Sequence, residues 1–178
     1  MRVLGLDPGS RRTGFGVVEK RGNRLQALCH GCLVPPAKAE LPQRLAFLAA
    51  GAADVMERFA PDCVVVEEAF YHENVRSTLV LGHVRGALIV TAVQREHAVA
   101  EYSPREIKMS VTGNGGATKE QVGFMVQRLL GIPDALQADA ADALAGAICH
   151  LNRAGLQLPR RTSTAAKQLQ ALLARAAR

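Results

Sequence analysis

Short apolar segments lie close together in the first third of this 178-residue chain and then alternate with longer segments of helical periodicity. The predicted strands cover residues 2–7, 13–19, 25–34, 63–66 and 98–102. Helices are predicted for residues 41–59, 74–95, from 103 onward, 118–130 and 137–153. Three antiparallel strands followed by helix, strand, helix, strand and further helices predict an α/β fold, with one mixed five-stranded sheet flanked by helices.

Acidic residues stand at the ends of two predicted strands and on the last helix. Asp7 closes the first strand and Glu67 closes the fourth, and this order of elements allows the two strands to lie side by side. Asp139 and Asp142 are three residues apart, so they project from nearly the same helix face. Repulsion among gathered carboxylates is unfavourable unless hard divalent cations offset it through oxygen ligands. The pattern therefore indicates Mg²⁺-dependent phosphate chemistry and raised carboxyl pKa values without metal.

Positive charge is concentrated at the carboxyl-terminal end of the chain. The net charge is +6, and the six basic residues that follow residue 152 account for all of it, because no acid lies beyond Asp142. Such an arm suits nucleic acid, since it releases counterions from phosphates, but a solubilising terminus has the same composition. We assign residues 1–153 to one folded domain and residues 154–178 to a basic tail with few structural signals.

Composition excludes several classes of protein. Trp is absent and aromatic residues make up 4% of the chain, which argues against a broad stacking platform for single strands. No apolar run approaches the roughly 18 residues of a membrane span, and the first run is too short for a signal sequence. We therefore expect a cytoplasmic protein with no membrane partner.

A glycine-rich loop precedes one of the predicted helices. Residues 113–116 form the loop, and Thr118 with Gln121 makes a capping box that starts the helix. A helix start with free amides is an anion site, so Gly115, Gly116, Thr118 and Lys119 are candidates for a phosphate clamp. A solvated lysine at a helix start is the alternative. The segment is not a P-loop, because no Gly-Lys-Ser/Thr sequence occurs.

Four blocks, in order, resemble the RuvC family of Holliday junction resolvases, which have the ribonuclease H-like fold. The blocks are Leu6 to Gly16, Val66 to Phe70, Leu81 to Gly86 and Gln137 to Ala145. The resemblance covers roughly residues 1 to 152 and not the basic tail. It implies a homodimeric, Mg²⁺-dependent endonuclease that cuts four-way DNA junctions beside the RuvA–RuvB branch-migration complex, and thus a nuclease domain at residues 1–153.

By the family pattern, the catalytic and metal-binding acids are Asp7, Glu67, Asp139 and Asp142. The pattern selects Glu67 over its neighbour Glu68, although a one-residue shift in strand register would exchange the two. Our hypothesis is that two Mg²⁺ ions bind per subunit, with Mn²⁺ as a substitute. Asp7 would bridge both ions, Glu67 would bind one, and Asp139 with Asp142 would bind the other.

The resemblance also implies DNA contacts outside the acid cluster. Phe70 matches a position that stacks on bases near the crossover, although core packing is the alternative, and Arg76 extends the same loop with polar reach. Lys108 and Lys119 match basic positions that face the DNA backbone. A dimer contact is implied around Gly82 and Gly86, where close packing of the helix on its own sheet would look the same.

Three other functions are compatible with parts of this sequence. The turn after the first strand resembles the phosphate loop of actin-like kinases, but those enzymes need two such domains and this chain is too short. A nuclease acting on RNA can have the same fold and similar acids. A protein that binds junctions without cutting them is the third alternative, and the intact acid set argues against it.

Overall fold

A mixed five-stranded sheet runs through the centre of the structure, a computed structural model that describes residues 1–68 and 74–154. The strands are β1 (Arg2–Asp7), β2 (Thr13–Arg21), β3 (Arg24–Leu33), β4 (Cys63–Glu67) and β5 (Ala98–Tyr102). Their order is β3-β2-β1-β4-β5, with β1 antiparallel to β2 and parallel to β4. The predicted mixed sheet is confirmed, and so is the central position of the first strand beside the fourth.

Helices cover both faces of this sheet. They are α1 (Leu41–Phe59), α2 (Val75–Gln94), α3 (Pro104–Thr112), α4 (Lys119–Leu130) and α5 (Ala138–Ala154). Side chains alternate between the faces of a strand, so neighbours in β1 enter different cores. Leu4 belongs to a buried cluster with Leu48 of α1 and Leu88 of α2. Val3 lies on the opposite face in a second cluster with Leu144 of α5, which also includes residues of α3 and α4.

Glycines in the central strands let α5 lie directly on the sheet. A Cβ built on Gly5 of β1 would overlap the carbonyl oxygen of Ala143, and one built on Gly14 of β2 would overlap that of Asp139. A strand glycine often marks such a close backbone approach. The absence of side chains at these two positions therefore brings the first turn of α5 down to the end of β1.

Local capping signals determine where the helices near the acids begin and end. Ser103 and Glu106 form a capping box at the start of α3, and Thr118 and Gln121 form the predicted box at the start of α4. Gly113 ends α3 with a φ of 74°, a left-handed conformation that glycine adopts without steric cost. The sequence therefore placed these boundaries to within a residue or two.

The helix α2 leaves much of its apolar surface exposed. By length and composition alone it could cross a membrane, and only 22% of its most apolar window is buried inside the structure. However, Val84 and Leu88 are buried against the sheet, and Arg85 of the same helix pairs with Glu101 of β5. The predicted absence of a membrane partner therefore stays a prediction.

Two predicted features lie outside the described residues. Phe70, the predicted base-stacking residue, is in the segment 69–73. The basic tail is in the segment 155–178. The boundary between the domain and the tail, predicted after residue 153, therefore stays a prediction.

Candidate active site

Asp7 and Glu67 lie side by side at the carboxyl ends of two parallel strands. The parallel register of β1 and β4 pairs Leu6 with Val66, so Asp7 and Glu67 are the next residues along each strand. Both carboxylates project from the sheet face that α5 covers, because they share it with Gly5 of β1 and Val65 of β4. The strand register therefore places Glu67 beside Asp7, while Glu68 is exposed beyond the strand end.

The first turns of α5 bring the other two predicted acids to the same place. Asp142 lines a cavity of about 360 Å³ together with Asp7 and Glu67, and the exposed Glu68 also lines it. Asp139 lies at the edge of this group and does not line the cavity, but its charge raises the pKa of Asp7. The structure thus brings together all four acids from three distant parts of the chain, with Asp139 in the outermost position.

Burial and repulsion from neighbouring acids raise the pKa values of Asp7 and Glu67 in the metal-free protein. Burial is the largest cause that raises the pKa of Asp7 to about 8, followed by the charges of Glu67 and Asp142. Burial and then the charge of Asp142 raise the pKa of Glu67 to about 7. The predicted rise is therefore present, and loss of solvent is the largest single cause of it for both acids.

Basic side chains stand against the outer acids. Lys119 Nζ lies 2.7 Å from Asp142 Oδ2, and this contact raises the pKa of the Lys119 ammonium. A guanidinium nitrogen of Arg12 lies 3.5 Å from Asp139 Oδ2. Lys108 lines the same cavity and lowers the pKa of Glu67. Cationic side chains therefore neutralise part of the acid cluster.

The acid cluster has the donor chemistry of a divalent cation site, although it is not a closed cage. Within residues 1–68 and 74–154, no group of three or more His, Cys, Asp and Glu side chains is close enough to form a ready-made metal site. Lys119 and Arg12 contact oxygens of Asp142 and Asp139 that a hard cation would use. The half-buried carboxylates of Asp7 and Glu67 keep raised pKa values despite these basic neighbours, and a cation bound between them would favour their charged forms. The residues therefore fit Mg²⁺ or Mn²⁺. Movement of the Lys119 and Arg12 side chains away from Asp142 and Asp139 would free those carboxylate oxygens for a cation.

The predicted phosphate clamp is only partly available for an anion. The Gly116 amide donates to the side chain of Asn114 at 2.9 Å, and the Thr118 amide donates to Gln121 Oε1 at 2.9 Å. Gly115 packs against the side chain of Arg105. None of these three clamp residues lines the acid cavity, whereas Lys119 and Lys108 do. The two lysines are therefore better placed than the loop amides for a phosphate in this cavity.

Arg76 does not reach the acid cavity. It is exposed near the start of α2 and lines a separate groove with residues of α1 and of the turn after β1. The two hollows share the walls made by Pro8 and Leu81. Its predicted contact with DNA stays a prediction, and its place is next to the cavity and not within it.

Sequence reasoning missed residues that hold the site in shape. Arg85 lies in the same block as Gly82 and Gly86, for which only a dimer contact is expected, but its Nε donates to the carbonyl oxygen of Glu67 at 3.0 Å and its guanidinium pairs with Glu101. It therefore fixes the end of β4 from the inside of the fold. The hydroxyl of Thr13, which is fully buried, donates to the Gly9 carbonyl at 2.9 Å and closes the turn after Asp7. Glycines recurring in the first two strands were the available signal for the close approach of α5.

Comparison with known proteins agrees with this geometry. The model of the family described as crossover junction endodeoxyribonuclease RuvC matches residues 3–150, a span that contains all four acids. The chain belongs to the RuvC family. Its members are metal-dependent nucleases.

Members of the RuvC family match nearly the whole described chain. Crossover junction endodeoxyribonuclease RuvC of Trichlorobacter lovleyi is 48% identical over 158 residues, which is 89% of each chain. The protein of the same name from Edwardsiella ictaluri is 48% identical over 158 residues, covering 88% of this chain and 91% of that one.

Solved structures show the same architecture. RuvC of Thermus thermophilus in complex with a Holliday junction substrate has a TM-score of 0.83 and 32% identity, covering 88% of this chain and 96% of that one. The yeast mitochondrial Holliday junction resolvase Ydc2 has a TM-score of 0.65 at 16% identity, over 94% of this chain and 83% of that one, which shows the fold alone. The predicted ribonuclease H-like fold is thereby confirmed.

Proposed function

We propose that this protein cuts four-way DNA junctions by paired, symmetric hydrolysis of phosphodiester bonds, with Asp7, Glu67, Asp139 and Asp142 as its catalytic acids. The observation that carries the proposal is that Asp7, Glu67 and Asp142 line one cavity, with Asp139 at its edge, in a chain of the RuvC family. A relative that is 32% identical was solved with a Holliday junction substrate, which supports the choice of DNA. Processing of broken or recombining DNA follows from that substrate.

The four acids would hold two divalent cations per subunit, Mg²⁺ with Mn²⁺ as a substitute. When bound, such cations neutralise charge on the phosphate and make an attacking water more acidic. Asp7 is central, since Glu67, Asp142 and Asp139 all influence its pKa. Glu67 lies beside it on the neighbouring strand, Asp142 lines the same cavity from α5, and Asp139 completes the set from the edge. These assignments are supported by placement and donor type.

The remaining residues of the cavity position the acids and the substrate. Arg85 holds the backbone of Glu67, so the carboxylate is kept at the end of β4. Lys119 pairs with Asp142 and is 69% exposed at its side chain, so it can turn towards a phosphate that enters the cavity. Lys108 stands on the α3 side of the same cavity. The ammonium groups of Lys119 and Lys108 would both stabilise negative charge on the phosphodiester.

Cleavage of a synthetic immobile four-way junction tests this function, with a linear duplex and an RNA duplex as controls. We expect nicks at symmetric positions on two opposing strands of the junction when Mg²⁺ is present, and none with EDTA. Asp7→Asn should abolish cleavage and leave junction binding intact, because the lost charge does not attract DNA. Cleavage of RNA alone, or binding of the junction without cleavage by the unmodified protein, would contradict the proposal.

Paired incisions require two sites, and the exposed face of α2 supports a homodimer. Val75, Leu79 and Val90 of this helix are more than half exposed. A Cβ built on Gly82 or Gly86 meets no atom within 4 Å, so both glycines leave open space for another helix. Contiguous exposed apolar surface of this kind marks a protein contact. We expect the Leu79→Glu variant to sediment as a monomer and to nick only one strand of the junction. If the variant still sediments as a dimer, α2 is not the interface.

Two further proposals rest on family membership. We propose that the protein acts beside the RuvA–RuvB branch-migration complex and that it works in the cytoplasm. Coupled branch migration and cleavage, reconstituted with purified RuvA and RuvB, tests the first. Fractionation of cells into cytoplasm and membrane tests the second, including the membrane association that the composition of α2 allows.

A further inference from the structure

Three arginines from separate elements line one groove beside the acid cavity. Arg11 comes from the turn after β1, Arg44 from α1 and Arg76 from α2, and the groove measures about 630 Å³. Ser10 and Ser77 add hydroxyl groups to its wall. Among the described residues that line it there is no Asp or Glu. We call this hollow the arginine groove.

The arginines of the groove have no carboxylate partner among the described residues. In residues 1–68 and 74–154, Arg11, Arg44 and Arg76 form no ion pair with any carboxylate. Arg44 is half-buried, and its Nε is shielded from solvent without an acceptor in this part of the chain. Gathering cations and leaving a buried donor unmet both disfavour the folded state. Stability alone therefore does not explain the groove, and an anionic ligand would.

The arginine groove lies next to the acid cavity. Pro8 and Leu81 form walls of both hollows. On its other side, Arg11 and Arg44 also line a further cavity of about 420 Å³ beside Pro35 and Pro36. An extended ligand that leaves the acid cavity past Pro8 thus enters a path lined by guanidinium groups.

We propose that the arginine groove binds backbone phosphates of the DNA strand that flank the bond being cut. Guanidinium groups match phosphate oxygens through paired, charge-assisted hydrogen bonds. Arg44 is half-buried and has an unpartnered Nε–H donor among the described residues, Arg11 lies on the side of the further cavity, and Arg76 lines the groove from α2. This inference deepens the proposed function and rests on it: it adds Arg11 and Arg44 as residues that position the strand for the acids.

Replacement of Arg11 and Arg44 by Gln tests the inference against a matched control. Arg128 is also exposed and unpaired within the described chain, and it lines a different groove with residues of β3. We expect R11Q/R44Q to weaken junction binding roughly tenfold to a hundredfold at about 0.1 M salt and to lower the salt slope by about 2, because each phosphate contact contributes about 0.9. R24Q/R128Q also removes two exposed charges, both from that other groove. It should change both quantities much less, since distant charges are screened.

Position-specific neutralisation of the DNA identifies the bound phosphates. Single neutral methylphosphonates are placed along the cleaved strand, and binding is measured with EDTA so that no strand is cut. At phosphates held by the arginine groove, neutralisation should weaken binding by the unmodified protein and have little further effect on R11Q/R44Q. Losses that add independently at every position would overturn the inference.

Folding and function are separated by further measurements. Arg11 is exposed, so R11Q alone should keep the unfolding temperature, and R44K should retain much of the binding that R44Q loses because it keeps the charge. Unchanged binding and salt slope in R11Q/R44Q, with normal cleavage by the unmodified protein, refute the groove and leave the proposed function standing. Failure of the unmodified protein to bind the junction refutes both.

Discussion

The carbonyl oxygen of Asp139 occupies the space where a side chain on Gly14 would begin, and Gly14 is the direct antiparallel partner of Asp7. Because Gly14 lacks a Cβ, the first turn of α5 can settle against the sheet at the point where β1 ends. The distance between the acids on α5 and the acid on β1 is therefore set by a residue with no side chain.

Substitution of Gly14 by Ala tests this relationship. The added methyl group collides with helix backbone, so we expect a loss of about 1–3 kcal/mol in the free energy of unfolding and a large loss of cleavage. Gly123→Ala in α4 is the control, since its Cβ would meet no atom within 4 Å and alanine favours a helix. Chemical denaturation and junction cleavage measure both effects. Full cleavage by a G14A protein would show that the close approach is not required.

The stability of the metal-free protein should fall as pH rises through neutrality. The pKa of Asp7 is about 8 in the folded protein against an ordinary 3.8. Between these values the folded state binds more protons than the unfolded state, so the free energy of unfolding decreases with increasing pH. We expect the unfolding temperature in EDTA to drop by at least about 4 °C from pH 5 to pH 8. Asp7→Asn should remove part of this drop and leave the part that comes from Glu67, whose pKa is raised to about 7 by burial and by Asp142. Mg²⁺ should reverse the drop in the unmodified protein only.

Replacement of Lys119 by Met should change the pH dependence of cleavage as well as its rate. The Lys119 ammonium lowers the pKa of both Asp7 and Glu67, so its loss raises both values. We expect the acidic limb of the cleavage profile to move to higher pH, in addition to a weaker hold on DNA. Lys119→Arg keeps the charge and should keep the profile. A lower rate with an unshifted profile would assign Lys119 to phosphate contact alone.

Glu67→Gln and Glu68→Gln form a matched pair that tests the strand register. Glu67 is the last residue of β4 beside Asp7, whereas Glu68 follows the strand and is exposed. We expect E67Q to abolish cleavage and E68Q to retain most of it, with junction binding intact in both. The assignment fails if E68Q is the inactive protein. Gel assays with the same immobile junction measure both activities.

Glu106 should stabilise the protein at neutral pH and lose this effect in acid. Hydrogen bonds from the backbone and side chain of Ser103, and then from Arg153, lower the pKa of Glu106 to about 2. A lowered carboxyl pKa adds stability above its ordinary value of 4.5 that is lost as pH falls through about 2. E106Q keeps the capping box, because glutamine also serves at this position, but loses a negative charge at the helix start. We therefore expect it to unfold about 2–4 °C lower at pH 7, for a loss of about 1 kcal/mol. The difference in unfolding temperature between E106Q and the unmodified protein should vanish near pH 2. The control Glu57→Gln on α1 should unfold at the same temperature as the unmodified protein.

Some features of the site were predictable because they follow from local order along the chain. Asp7 and Glu67 each close a buried strand, and parallel neighbours end at the same edge of a sheet. The start of α4 at Thr118 was predictable for the same reason, because a capping box involves only residues three apart. The capping box, however, engages the Thr118 amide that the phosphate clamp was expected to offer.

The sequence by itself determined the type and order of the elements, the acids at the strand ends and the family. Only the tertiary structure decided that Glu67, and not Glu68, lies beside Asp7. It further decided that Arg85 contacts the backbone of Glu67 and that Asp139 lies outside the cavity. It also decided that Arg11, Arg44 and Arg76 share one groove. The physical reason is that propensity and alternation act within a few residues. Strand register, helix depth and the meeting of side chains from distant elements depend on packing across the whole fold.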